Sequence, residues 1–162
     1  MVLLPLDTDD KNHHRGHRDH RDSAGGKSTA RRSQCEPRYA GYVNDVTGNV
    51  IGAAIEVHRA LGPGLLESAY QECLSRELTM RDIPFLRQLP LAVIYKGVRV
   101  DCAYRIDFLV DEVVVELKSV SAIEPVHEAQ LLTYMKLGQW KLGLLINLNV
   151  TVLTRGIRSF IL

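Results

Sequence analysis

The sequence has 162 residues, 46% apolar and 6% aromatic, with a net charge of +1. This is length for one domain plus an appendage, with an ordinary share of core-forming residues. So few aromatics exclude a protein that grips single strands mainly by base stacking, and so little charge excludes one that grips nucleic acid by bulk basicity.

The opening MVLLPLDTDD has no charged leader and no long apolar core, so it does not read as a signal peptide, and no apolar run approaches a membrane span. Residues 1–40 read as a disordered polar tail: they carry 8 Lys/Arg and 6 Asp/Glu, few large apolar residues and no periodicity. A start assigned too far upstream would account for them equally. His13, His14, His17 and His20 lie here; a metal-binding tract is the alternative reading, but the signal is compositional only and a polar arm is favoured. Cys35, Cys73 and Cys102 make no CxxC and no disulfide framework, which points to a reducing, cytoplasmic setting.

A folded domain is expected over residues 44–162. Val46, Val50, Ile51, Ala54, Ile55, His58 and Leu61 recur at helical spacing after a cap at Asn44 or Asp45. Gly48 and Gly52 share a stripe of that helix, which suggests close packing there. Gly62-Pro63-Gly64 ends it. A second helix spans about Leu65 to Arg81 on Leu66, Ala69, Tyr70, Cys73, Leu74 and Leu78, stopped by Asp82-Ile83-Pro84. Residues 86–95 read as a strand, with Pro90 favouring an edge. Lys96-Gly97 turns the chain, and residues 98–110 and 112–118 form a hairpin about Asp111. A third helix, about Pro125 to Leu137, has the stripe Val126, Ala129, Leu132, Thr133 and Met135. The apolar run 142–148 suits a strand buried on both faces, and short strands are expected at 150–153 and 157–162.

Alternation sets the candidate chemistry. Ile106 and Phe108 are expected on one face, with Arg105 and Asp107 on the other; Val113, Val115 and Leu117 oppose Val114, Glu116 and Lys118. Two adjacent strands would then bring Asp107, Glu116 and Lys118 onto one surface. Such a set could hold Mg²⁺ or Mn²⁺ through two carboxylates and the Leu117 carbonyl, with Lys118 orienting water or stabilising charge at phosphorus. D-x8-E-x-K alone is weak, since an acid and a lysine two apart usually form a solvated face. Charges at the end of an apolar Val-Val-Val run are harder to explain without a partner or a metal. Glu67 with Tyr70, and Gln130 with Tyr134, share helix faces. His58 reads as a packing residue, and His127 and Glu128 as capping or solvent-facing.

Taken together, Gly64-Leu-Leu-Glu67-Ser-Ala-Tyr70, Tyr104-Arg-Ile-Asp107, Val115-Glu116-Leu-Lys118 and His127-Glu-Ala-Gln130-Leu-Leu-Thr-Tyr134 resemble the GxxExxY proteins of the PD-(D/E)XK nuclease superfamily. Ala53-Ala-Ile-Glu56-Val-His58 and Leu144-Leu-Ile-Asn147-Leu-Asn149 add to the likeness, which covers about residues 44–162. Ile106 stands where the superfamily name has Pro. The resemblance implies an α/β, restriction-endonuclease-like αβββαβ core: a mixed central sheet flanked by helices, with an extra N-terminal helix. It implies Asp107, Glu116 and the Leu117 carbonyl as metal ligands, completed by Glu67, and Lys118 as the catalytic lysine. Gln130, Tyr134 and Tyr70 would support the site and the nucleic acid. The implied activity is phosphodiester hydrolysis, in DNA ahead of RNA. The competing expectation is a non-catalytic nucleic-acid-binding or accessory protein that kept the fold. A near-neutral 119-residue domain has little surface for a duplex, which points to a homodimer or a partner protein.

Overall fold

A computed structural model of the chain describes residues 36–162, with side chains at 45–100 and 104–162. Residues 1–35, and with them most of the expected tail, lie outside the described residues. The first helix, α1, runs from Glu36 to Leu61, so it starts eight residues before the expected cap and takes in residues 36–40 of that tail. Pro37 falls in its first turn, where a missing N–H costs nothing.

The elements that follow are α2 (Glu67–Met80), β1 (Leu86–Tyr95), β2 (Val98–Val110), β3 (Val113–Lys118), α3 (Pro125–Gly138), β4 (Leu142–Asn147) and β5 (Ile157–Ile161). The strands form one sheet in the order β1-β2-β3-β4-β5. Only β3 and β4 are parallel, joined by the α3 crossover. This is a mixed-sheet α/β fold of the restriction-endonuclease type, as expected. β1 lies at an edge, where Pro90 omits no interior ladder bond. No strand forms at 150–153; bends there lead into a 3₁₀ turn at Leu153–Arg155.

The sheet has two covered faces. On one, Phe108, Val113, Val115 and Leu117 meet Val50, Ala53, Ala54 and Val57 of α1 and Tyr70, Leu74 and Leu78 of α2. On the other, Ile106, Leu109, Val114 and Leu145 meet Leu131, Tyr134 and Met135 of α3. Both faces of β3 and β4 are therefore buried, as a continuous apolar run requires.

The helix faces differ from expectation. Ile55 and Leu61 are exposed while Ala53 and Val57 point inward, because α1 packs through its small residues. Leu66 and Val126 are 78% and 66% exposed, since each sits at a helix start beyond the sheet. Gly48 and Gly52 mark no backbone contact: a Cβ at Gly48 would meet nothing within 4 Å, and one at Gly52 only the Arg81 guanidinium at 3.4 Å. The close approaches occur elsewhere. A Cβ at Gly143 would lie 2.5 Å from Met135 Sδ under α3, and one at Gly156 would lie 2.4 Å from the Asn147 carbonyl oxygen.

Candidate active site

The site arises where β2 and β3 part. They pair only over Phe108–Val110 and Val113–Val115. Beyond Val115, the next N–H that β3 turns toward β2 is that of Leu117, and it donates to Asp107 Oδ2 at 2.9 Å. A side-chain carboxylate thus stands in for a ladder carbonyl. A strand residue directs its N–H and C=O to the same edge, so the Leu117 carbonyl also opens toward Asp107. The Lys118 carbonyl turns the other way and accepts from Leu148 N–H at 2.8 Å beyond β4.

The alternation expected in β2 breaks at this point. Ile106 packs on the α3 face and Phe108 on the α1–α2 face. The reset falls at Asp107, opposite Gln88, which takes φ +52° and is skipped in the β1–β2 ladder. Asp107 is left in the gap between strands with a buried carboxylate. In β3 the alternation holds: Leu117 is on the α1–α2 face, and Lys118 Nζ donates to Glu116 Oε1 at 2.6 Å.

Two glutamines that the sequence pattern did not single out hold Asp107. Gln71 Nε2 of α2 donates to Oδ1 at 2.8 Å, and Gln88 Nε2 donates to Oδ1 and to Gln71 Oε1, each at 3.2 Å. Gln71 follows Glu67 by four residues on the same helix face, a signal that could have found it. No such signal exists for Gln88, whose role depends on its left-handed backbone.

The charges are buried and mutually felt. Asp107, Glu116 and Lys118 are 6%, 2% and 8% exposed. Burial and then the Asp107 carboxylate push Glu116 up to about 7, against the pull of Lys118. Burial likewise raises Asp107, partly offset by the Leu117 N–H. Burial alone would lower the Lys118 ammonium, but Glu116, Glu67 and Asp107 together carry it above its ordinary value. Glu67, the first residue of α2, thus acts on all three. Tyr134 of α3 also feels all three groups and is raised chiefly by burial, and its hydroxyl accepts from Gln130 Nε2 at 2.7 Å.

Tyr70 acts at one remove. It is fully buried, donates to the Gly62 carbonyl at 2.6 Å and accepts from Leu65 N–H at 3.2 Å. It fixes the α1–α2 loop, whose Leu65 carbonyl accepts from Ser119 Oγ at 2.6 Å, next to Lys118. Asn147 holds the other side: its side chain bonds Val120 N–H and carbonyl at 3.1 and 2.8 Å. His58 ties α1 to the Val150 carbonyl at 2.7 Å, and His127 Nδ1 accepts from Glu124 N–H in a capping box, so both histidines are structural.

Among the described residues two buried side-chain polar atoms have no hydrogen bond, Arg87 Nε and Glu116 Oε2, and the second lies in the site. This is a costly state for a carboxylate oxygen. Among the described residues no cluster of three or more His, Cys, Asp or Glu stands close enough to hold a metal unaided. The available donors are Glu116 Oε2, the free lone pairs of Asp107 and the Leu117 carbonyl. Two carboxylates and a carbonyl, with the remaining positions left to water and phosphate, fit a hard octahedral cation such as Mg²⁺.

No described helix is long and apolar enough to cross a membrane. No curated protein and no solved structure matches the chain. Residues 44–160 match the PD-(D/E)XK nuclease superfamily, whose members typically use divalent metals. That match takes in α2, all five strands and α3 together with every side chain that converges on the gap between β2 and β3, and the chain belongs to the PD-(D/E)XK nuclease superfamily.

Proposed function

We propose that the domain is a Mg²⁺- or Mn²⁺-dependent nuclease that hydrolyses phosphodiester bonds in DNA, ahead of RNA, and that it belongs to the GxxExxY branch through Gly64, Glu67 and Tyr70. The carrying observation is the orphaned, buried Glu116 Oε2 beside Asp107 and Lys118. An oxygen in that state has a use if a cation is its partner. Asp107, Glu116 and the Leu117 carbonyl would hold the cation, with Glu67 adding negative charge at the rim. A bound cation would lower the pKa of water and offset charge building on the phosphate.

The chain's own groups divide the remaining work. Gln71, Gln88 and Leu117 N–H fix the Asp107 carboxylate in the gap between strands. Glu116 and the Asn147 clamp hold Lys118, whose ammonium orients the attacking water or stabilises the charge gathered at phosphorus. Water oxygen bonds phosphorus, one P–O ester bond breaks, and the leaving oxygen takes up a proton. Tyr134 and Gln130 border the same gap and would meet the nucleic acid.

The test is incubation of the full chain with linear and circular duplex DNA, single-stranded DNA and RNA, each with Mg²⁺, Mn²⁺ or EDTA. Metal-dependent cleavage that disappears in Lys118→Ala is the expected result. A folded, metal-binding wild type that cuts none of these would point to the accessory role instead.

A further inference from the structure

The sheet is five strands wide near the site but only two at one end. β3 accompanies β2 only along Phe108–Val110, whereas β1 and β2 continue as a pair to the Lys96-Gly97 turn. Every residue from Ile94 to Val100 is exposed, including Ile94, Tyr95 and Val98 at 62–64%. A two-stranded ribbon is marginal by itself, so an exposed one this long needs a purpose.

Its charge is unlike that of the rest of the domain. Residues 41–162 hold 12 Lys/Arg and 13 Asp/Glu, yet the ribbon sequence 94–105 holds Lys96, Arg99 and Arg105 and a single acid, Asp101. Arg105 is exposed and makes no ion pair with a described residue, and Lys96 lies over the Tyr95 ring at 5.4 Å. The ribbon also starts at the site: Tyr104 meets the Tyr134 ring edge-on at 6.0 Å.

Strand addition by another protein is disfavoured at its edge, where Pro90 and a register shift between Leu91 and Val93 interrupt β1. The faces and cations remain. A two-stranded ribbon fits the major groove of B-DNA, whereas the deep, narrow major groove of an RNA helix does not admit side chains. We propose that the β1–β2 ribbon is a DNA-gripping arm that lies in the groove of a duplex and contacts phosphates beside the scissile bond through Lys96, Arg99 and Arg105. This rests on the nuclease reading for its substrate and supplies the local positive charge that the domain as a whole lacks.

The test measures binding of a fluorescent DNA duplex to the full chain in EDTA, by anisotropy over a salt series. Wild type is compared with Lys96→Gln, Arg99→Gln and Arg105→Gln, singly and together. Lys141→Gln, which removes an equal charge just before β4, is the control. Each lost phosphate contact should flatten the slope of log affinity against log salt by about 0.9, and the triple variant should bind at least about tenfold more weakly. Melting temperatures should match wild type. A triple variant that binds like Lys141→Gln overturns the arm, even if wild type cuts DNA. Arm-dependent binding without metal-dependent cleavage supports the arm and removes the nuclease reading. A wild-type dimer that Val98→Ser dissociates, with the salt slope unchanged, assigns the ribbon to a second copy and overturns the proposal.

Discussion

Asp107, Glu116 and Lys118 stand out in the sequence as a candidate set because charges at the end of an apolar strand break its pattern. The residues that make Asp107 usable could not be found so easily. Gln71 and Gln88 are ordinary polar residues on a helix and an edge strand, and they matter only because both amides reach Oδ1. Partners that orient a ligand typically change metal affinity 10–100-fold. Gln71→Ala should therefore raise the Mg²⁺ concentration for half-maximal cleavage by about that factor, while saturating Mg²⁺ restores most of the rate. A rate loss that Mg²⁺ cannot restore would show that Gln71 acts on something other than the ligand. Glu116 makes a second prediction. Burial raises its folded value from 4.5 to about 7. Between those values the native state keeps a proton that the unfolded chain has released, so stability falls as pH rises through the window. The effect amounts to a few kcal/mol at most, at about 1.4 kcal/mol per pH unit. In EDTA, the stability of wild type minus that of Glu116→Gln should decline from pH 4.5 to 7 and level off above. A flat difference would show that Glu116 is not held protonated. The same proton competes with a cation, so Mg²⁺ affinity should weaken as pH drops below about 7.

At the scale of elements, type and order were legible, but boundaries and facing were not. The periodicities of α2, β1, β3 and β4 place those elements within a residue or two of where they lie. The start of α1 was missed because the polar composition of residues 1–40 and the capping residues Asn44 and Asp45 outweighed the helical spacing of Tyr39, Val43 and Val46. The inward face of α3 was misjudged because its apolar residues are scattered around the helix among polar ones, and only tertiary packing selects Leu131, Tyr134 and Met135. The strand expected at 150–153 fails because that segment bends back toward β4. There Asn147 N–H donates to the Gly156 carbonyl at 2.9 Å, and the chain passes too close to admit a Cβ at 156. Gly156→Ala would force the Asn147 backbone aside and should destabilise the fold by about 1–3 kcal/mol, as overpacking does. Because Asn147 also clamps the segment after Lys118, cleavage should fall by more than the unfolded fraction accounts for. Urea unfolding and a rate measured on the folded fraction separate the two effects. A destabilised variant with full activity would show that the clamp is merely structural.

At the scale of the whole molecule, the sheet order follows from connection lengths that the sequence displays. Lys96-Gly97 and Asp111-Glu112 permit only antiparallel neighbours, and a crossover of helical length permits β3 and β4 to lie parallel. The sequence does not display the parting of β2 from β3, because it depends on where a ladder stops. That parting gathers two raised carboxylates and one carbonyl beside a core that is largely apolar. Without a cation this arrangement works against folding, since the carboxylates repel each other and one oxygen is unbonded. A cation that binds only the folded chain should relieve that penalty. At a hundredfold excess over its dissociation constant, Mg²⁺ should add about 2.7 kcal/mol, which raises the melting temperature by on the order of 10 °C for a domain of this size. Glu116→Gln should melt at a higher temperature than wild type in EDTA and gain little from Mg²⁺. If Mg²⁺ moved neither protein, the orphaned oxygen would need another partner. If it moved both equally, the cation would sit elsewhere and the gap between β2 and β3 would lose its role as the metal centre.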